Sequence, residues 1–169
     1  ITGKAYGNAI HAAMQYLQYK NCGSKREIQH EIQRLVQQGF LSEEQGSLVN
    51  YESLYCFFVS EIGAKLRNGV PHLREFKFSI LDNGSNYGEE LEGEQVLLQG
   101  VVDCALFEPD GITVVDFKTD NVSEETLMTV TERYRPQILT YGEALNRIYE
   151  MPVKKQYLYL KQCKHNRYM

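Results

Sequence analysis

The spacing of apolar residues divides the chain into a helical first part and a second part rich in strands. In "GNAIHAAMQYLQY", Ile10, Met14 and Leu17 recur at helical intervals, which predicts an early helix carrying His11. Ser24 with Glu27 is the signature of a capping box and opens a second helix through about Gln38, where Gly39 fits the stop. Ser42 with Gln45 repeats the signature, and "SLVNYESLYCFFVSEIGAKL" predicts a third, more apolar helix ending near Asn68 and Gly69. The period then changes. "HLREFKFSIL" alternates as a strand does, and "DNGSNYGEELEGEQ" is polar and glycine-rich, a flexible loop or hairpin connection. "LLQGVVDCALF" and "GITVVDFK" follow as strands joined by "EPDG". A short helix over "SEETLMTV" is capped by Ser123, and a longer one runs over "PQILTYGEALNRIYE" with Pro136 in its first turn. "VKKQYLYLKQC" is the last strand. With no internal repeat and no clear break, residues 1–169 are expected to form a single α/β (α+β) domain built on one small sheet.

Two of these strands carry acids where carboxylates are rare: Asp103 in the first, Asp116 in the second, followed by Lys118. If Pro109 and Asp110 form the tip of a two-residue turn, Glu108 pairs with Gly111 and Asp103 falls opposite Asp116. Opposed residues share a face, and Lys118, two positions along, joins them, while Val115 and Phe117 face the other way. A three-residue loop with a glycine bulge would shift the register by one and separate the two acids. Opposed carboxylates repel unless a shared proton or a divalent cation neutralises them. Hard oxygen ligands suit Mg²⁺ or Mn²⁺. In an arbitrary hairpin such residues are more often surface acids bridged by a lysine.

Composition narrows the classes. The chain is 43% hydrophobic and 24% charged, and no apolar run reaches the length of a membrane span. A net charge of −4 argues against holding nucleic acid by a basic surface alone. Cys22, Cys56, Cys104 and Cys163 are scattered without a C-x-x-C pair, which fits reduced thiols in a cytoplasmic protein better than a zinc or iron–sulfur site. There is no G-x-x-x-x-G-K-[ST] loop, so no ATP site is expected here, and Ile1 in place of an initiator methionine fits a piece of a longer protein. The tyrosines, 12 in all, offer stacking surfaces for single-stranded nucleic acid. "VKK" at 153–155 and "KHNR" at 164–167 are small basic clusters.

"GNAIHAAMQ", "GVVDCALFEPDGITVVDFKTD" and "RYRPQILTYGEAL", in this order, resemble the RecB-type nuclease domain of the PD-(D/E)XK superfamily, as carried by helicase–nucleases of the AddA type. The resemblance covers nearly the whole chain. It implies a restriction-endonuclease-like core, a small mixed sheet flanked by helices, with a helical insertion at about 22–69. It implies that His11, Asp103, Asp116 and the Phe117 carbonyl hold Mg²⁺ (or Mn²⁺), and that Lys118 is the catalytic lysine. Gln137 and Tyr141 fit the family's Q-x-x-x-Y motif near the DNA, and Glu75 in "REFKF" aligns with an acid often found on the first strand. The expected activity is metal-dependent exonuclease action on DNA, on single strands delivered by a helicase motor in double-strand-break repair. An AddB-like partner protein and a cytoplasmic location are implied, with no membrane. Two alternatives stay open: a DNA-binding or partner-docking module of the same fold without turnover, and a stand-alone phage-type exonuclease.

Overall fold

Five strands alternate with or follow the helices in the computed structural model, which describes residues 3–120, 122–160 and 167–168. Strands β1 (His72–Asn83), β2 (Gln95–Glu108), β3 (Gly111–Lys118), β4 (Val153–Leu160) and β5 (Arg167–Tyr168) lie side by side in chain order in one sheet. β1, β2 and β3 are successively antiparallel, β4 runs parallel to β3, and β5 returns antiparallel to β4. The mixed sheet expected from the sequence is therefore present. The parallel step from β3 to β4 needs a crossover, which the helix α6 (Leu127–Tyr149) supplies.

Both faces of the sheet are covered. On one side, α1 (Gly3–Tyr16), α2 (Lys25–Gln37), α4 (Tyr51–Val59) and α5 (Glu61–Arg67) enclose Ile10, Met14, Ile28, Phe57, Phe58 and Leu66 against Cys104, Leu106, Val115 and Phe117. On the other, Ile138, Tyr141, Ala144 and Leu145 of α6 pack on Val102, Ala105, Ile112 and Val114. β3 is buried from Gly111 through Phe117, as a central strand covered on both faces should be. Glu108 pairs with Gly111, so the two-residue turn holds and the bulged alternative does not. Gly111 has φ +140°, and a Cβ there would come within 2.5 Å of the Pro152 carbonyl oxygen.

Ser24 caps α2 by accepting the Glu27 N–H, and the reciprocal capping box forms at Ser42 and Gln45. The single third helix expected after it is instead three: α3 (Glu43–Leu48), α4 and α5. Asn50 and Ser60 adopt extended backbone and accept the N–H groups of Ser53 and Gly63, so each starts a new helix where apolar spacing alone reads as continuous. Residues 127–149 make the opposite correction. The expected break before Pro136 is absent and α6 runs through it. The carbonyl left without its partner belongs to Glu132, on the exposed side of the helix, where solvent has access to it. Between β1 and β2, two 3-10 turns and a Gly84 N–H bond to the Glu94 carbonyl order the segment expected as a loop.

Cys22 and Cys104 are buried free thiols, in keeping with the expectation of reduced cysteines at these two positions. Within "VKK", Lys154 pairs with Glu108 and Asp110 and so ties β4 to the β2–β3 turn. Cys163 and most of "KHNR" lie outside the described residues. Among the described residues no helix is long and apolar enough to cross a membrane.

Candidate active site

The β2–β3 ladder stops at Cys104 and Val115, one rung before the two acids. There Asp103 uses its carboxylate in place of a backbone carbonyl, accepting the Phe117 N–H at 2.8 Å. β3 continues with β4 as neighbour, Asp116 beside Leu158 and Lys118 beside Leu160, while β1 and β2 peel away together. The acids sit in the fork. Asp116 shares its side of β3 with Val114, toward α6, whereas Val115 and Phe117 face the α1 layer.

The β1–β2 ribbon turns over at the same place. Arg74 and Cys104 point to the α1 layer, Arg74 donating to the Met14, Gln15 and Leu17 carbonyls. Phe76 and Val102, two positions on along their strands, point to α6. Residues two apart on a regular strand share a face. The switch occurs at Glu75, which has φ +47° and is skipped by the ladder opposite Asp103.

α1 brings His11 to this fork. Its Nδ1 lies 3.3 Å from Asp103 Oδ1 and 3.7 Å from Glu75 Oε1, and its Nε2 faces the Phe117 carbonyl oxygen at 3.1 Å. Lys118 Nζ is 2.9 Å from Asp116 Oδ2 and donates to Gln137 Oε1 at 2.7 Å. Tyr141 is buried one turn further along α6, its ring edge-on to Phe78 at 5.7 Å.

The charge balance is negative. Three carboxylates, from Glu75, Asp103 and Asp116, meet one imidazole and one ammonium. Burial, then the Asp103 charge, pushes Asp116 up to about 7, and Lys118 only partly offsets this. The same two causes raise Glu75. His11 is raised to about 9, chiefly by its hydrogen bond to Asp103, which outweighs burial. Both of its nitrogens face oxygen atoms, Nδ1 the Asp103 carboxylate and Nε2 the Phe117 carbonyl. Tyr141 is pushed up to about 12 by burial and by the neighbouring Asp116 charge.

These residues fit a divalent cation. One ligand atom each from His11, Glu75 and Asp103 lies within 4.8 Å of the others, an imidazole nitrogen with carboxylate oxygens of the kind Mg²⁺ and Mn²⁺ accept. Burial, with the Asp103 charge added to it, disfavours the ionised forms of Asp116 and Glu75, a cost that a bound cation would relieve. Glu75 joins His11 and Asp103, while Asp116 is turned to Lys118 and the Phe117 carbonyl to His11. Of the expected residues, His11, Asp103, Asp116, Phe117, Lys118 and Gln137 are joined by direct contacts, and Tyr141 stands behind them in the core. Sequence reasoning passed over Tyr134, whose ring lies 4.5 Å from Lys118 Nζ. Its position three residues before Gln137, on the same helix face, was the available signal.

A model of the PD-(D/E)XK nuclease superfamily matches residues 2–167. Among curated proteins, the chain is 35% identical over 164 residues to an ATP-dependent helicase/nuclease subunit of Alkaliphilus metalliredigens strain QYMF, covering 95% of this chain and 14% of that protein. It is 36% identical over 159 residues to the protein of the same description from Clostridium botulinum strain 657, covering 91% and 12%. The corresponding Bacillus cytotoxicus protein is 31% identical over 169 residues, covering 94% and 14%. The chain thus spans only 12–14% of the length of these relatives.

Proposed function

The chain belongs to the PD-(D/E)XK nuclease superfamily, and from that premise we propose that it hydrolyses DNA phosphodiester bonds as the metal-dependent exonuclease unit of an ATP-dependent helicase–nuclease. The observation that carries this reading is the adjacency of an acid pair, an imidazole and an ammonium at the β2–β3 fork. A bound Mg²⁺ or Mn²⁺ supplies Lewis-acid stabilisation of the phosphate and eases removal of a proton from water. His11, Glu75 and Asp103 offer its nearest ligand set, and Asp116, a rung away, completes the negative wall.

Lys118 holds the chemistry in register. Its ammonium, fixed between Asp116 and Gln137, orients the attacking water and faces the phosphate oxygens. The water oxygen bonds to phosphorus and releases a proton to solvent, the bond from phosphorus to the leaving sugar oxygen breaks, and that oxygen takes up a proton from solvent. Charge accumulating on the phosphate is met by the ammonium.

The relatives are helicase/nuclease subunits by description, which supports DNA as substrate, single strands fed by a motor, an AddB-like partner, a role in double-strand-break repair and recombination, and a cytoplasmic location. The test is degradation of labelled single- and double-stranded DNA with Mg²⁺ or Mn²⁺, comparing the unaltered chain with Asp116→Ala. Activity should vanish in the variant while its circular dichroism stays unchanged; full residual activity refutes the assignment. An inert docking module would instead bind Mn²⁺ equally well with and without Asp103.

A further inference from the structure

We propose that Tyr134 is a positioning residue for the Lys118 ammonium, held in place by Asp120; the proposal rests on the nuclease reading above. A lysine side chain is a flexible stem that loses considerable rotamer freedom when its tip is fixed. Here the tip has three neighbours. Asp116 contributes charge at 2.9 Å, Gln137 an amide oxygen at 2.7 Å, and the Tyr134 ring a face whose centroid is 4.5 Å away. An ammonium over an aromatic face is attracted by the ring's quadrupole, most strongly where water is excluded. The Lys118 side chain is only 16% exposed.

The ring is itself anchored. Its hydroxyl donates to Asp120 Oδ2 at 2.9 Å, and Arg133 Nη1 lies 3.5 Å from the other oxygen of the same carboxylate. Its body packs on Val122, Leu127, Val130 and Leu158. Asp120 lies two residues beyond Lys118, so the chain leaving β3 reaches back to α6 and closes a circuit through Tyr134 to the lysine. Tyr134 and Gln137 are three residues apart on one face of α6, and together they fix the ammonium from the helix side. Packing alone would be served by a leucine, which offers no such face.

The comparison of Tyr134→Leu with Tyr134→Phe in the full chain tests this by two readouts. In the first, lysine is ¹³C-labelled and the Lys118 signal is assigned by its loss in Lys118→Met. The ε-methylene protons of Lys118 should be displaced upfield by the ring current, and the displacement should survive Tyr134→Phe and disappear in Tyr134→Leu. In the second, Mn²⁺-dependent cleavage of single-stranded DNA should show kcat reduced about tenfold in Tyr134→Leu. The KM for DNA should be unchanged, and Tyr134→Phe should restore most of the loss. The inference is overturned by an undisplaced Lys118 signal in the unaltered chain, by an unchanged kcat in Tyr134→Leu, by a loss expressed in KM, or by Tyr134→Phe falling as far as Tyr134→Leu. An unaltered chain that shows the displaced signal but cuts no DNA would instead defeat the nuclease reading.

Discussion

Glu75 stands opposite Asp103 at the position the β1–β2 ladder omits, and there the ribbon exchanges its faces. The left-handed backbone of Glu75 makes the exchange, at a cost of about 1–3 kcal/mol for a residue with a side chain. It also sets a carboxylate beside one that is already buried. Glu75→Gln removes the repulsion and keeps the backbone. Without metal its thermal midpoint should rise by roughly 1–3 °C, whereas the further rise produced by saturating Mn²⁺ in the unaltered chain should shrink. Glu75→Gly should gain more in the first measurement and lose as much in the second. Calorimetry with and without Mn²⁺ reads both, and an undiminished Mn²⁺ increment would remove Glu75 from the ligand set.

Arg74, one residue earlier, closes the end of α1. Its Nη1 donates to the Leu17 carbonyl at 2.6 Å and the Gln15 carbonyl at 3.0 Å, and its guanidinium lies 3.4 Å from the centre of the Tyr19 ring. Helix-end carbonyls otherwise lack partners. Arg74→Ala should cost about 2–4 kcal/mol in urea unfolding. Arg74→Lys should recover less than half of that, because an ammonium has neither the planar face that lies on Tyr19 nor the Nε–H that donates to His72. Full recovery by lysine would show that charge alone matters.

Glu108 lies between Lys65 and Lys154, each 2.8 Å away, and hydrogen bonds to these two hold its carboxyl below the usual carboxylate range. An acid with a depressed folded pKa contributes stability that is fully present above its unfolded value, about 4.3, and is lost as pH falls through the folded value. Glu108→Gln should therefore be less stable than the unaltered chain by about 1–2 kcal/mol at pH 7. The difference should narrow from about pH 5 downward. Unfolding curves at a series of pH values check it; a difference that persists unchanged at pH 3 would assign the loss to packing.

Pro136 interrupts the hydrogen bonds of α6 without ending the helix. Pro136→Ala restores an N–H for the Glu132 carbonyl and should stabilise the protein by about 1–3 kcal/mol. A neutral or unfavourable change in chemical denaturation would mean that proline's restriction of the unfolded chain offsets the missing bond.

What the sequence determined by itself was whatever depends on near neighbours. The "EPDG" turn and the alternation around it confined the β2–β3 pairing to two registers one residue apart, and the two-residue turn is the one that brings Asp103 and Asp116 near each other, since a slip of one residue reverses every side chain. Apolar spacing likewise put His11 on a helix, and Ser42 with Gln45 marked a helix start. Tertiary structure decided the rest, because it depends on partners distant in the chain. The Phe117 carbonyl that meets His11 lies 106 residues away, and Gln137 reaches Lys118 across 19. Nothing around "REFKF" shows that Glu75 adopts a left-handed backbone; that follows from a ribbon packed on α1 at one end and on α6 at the other, which must turn over between them. Pro136 reads as a helix start by propensity, yet packing of Ile138, Tyr141 and Leu145 on the sheet, with Glu132 left toward water, outweighs the missing bond.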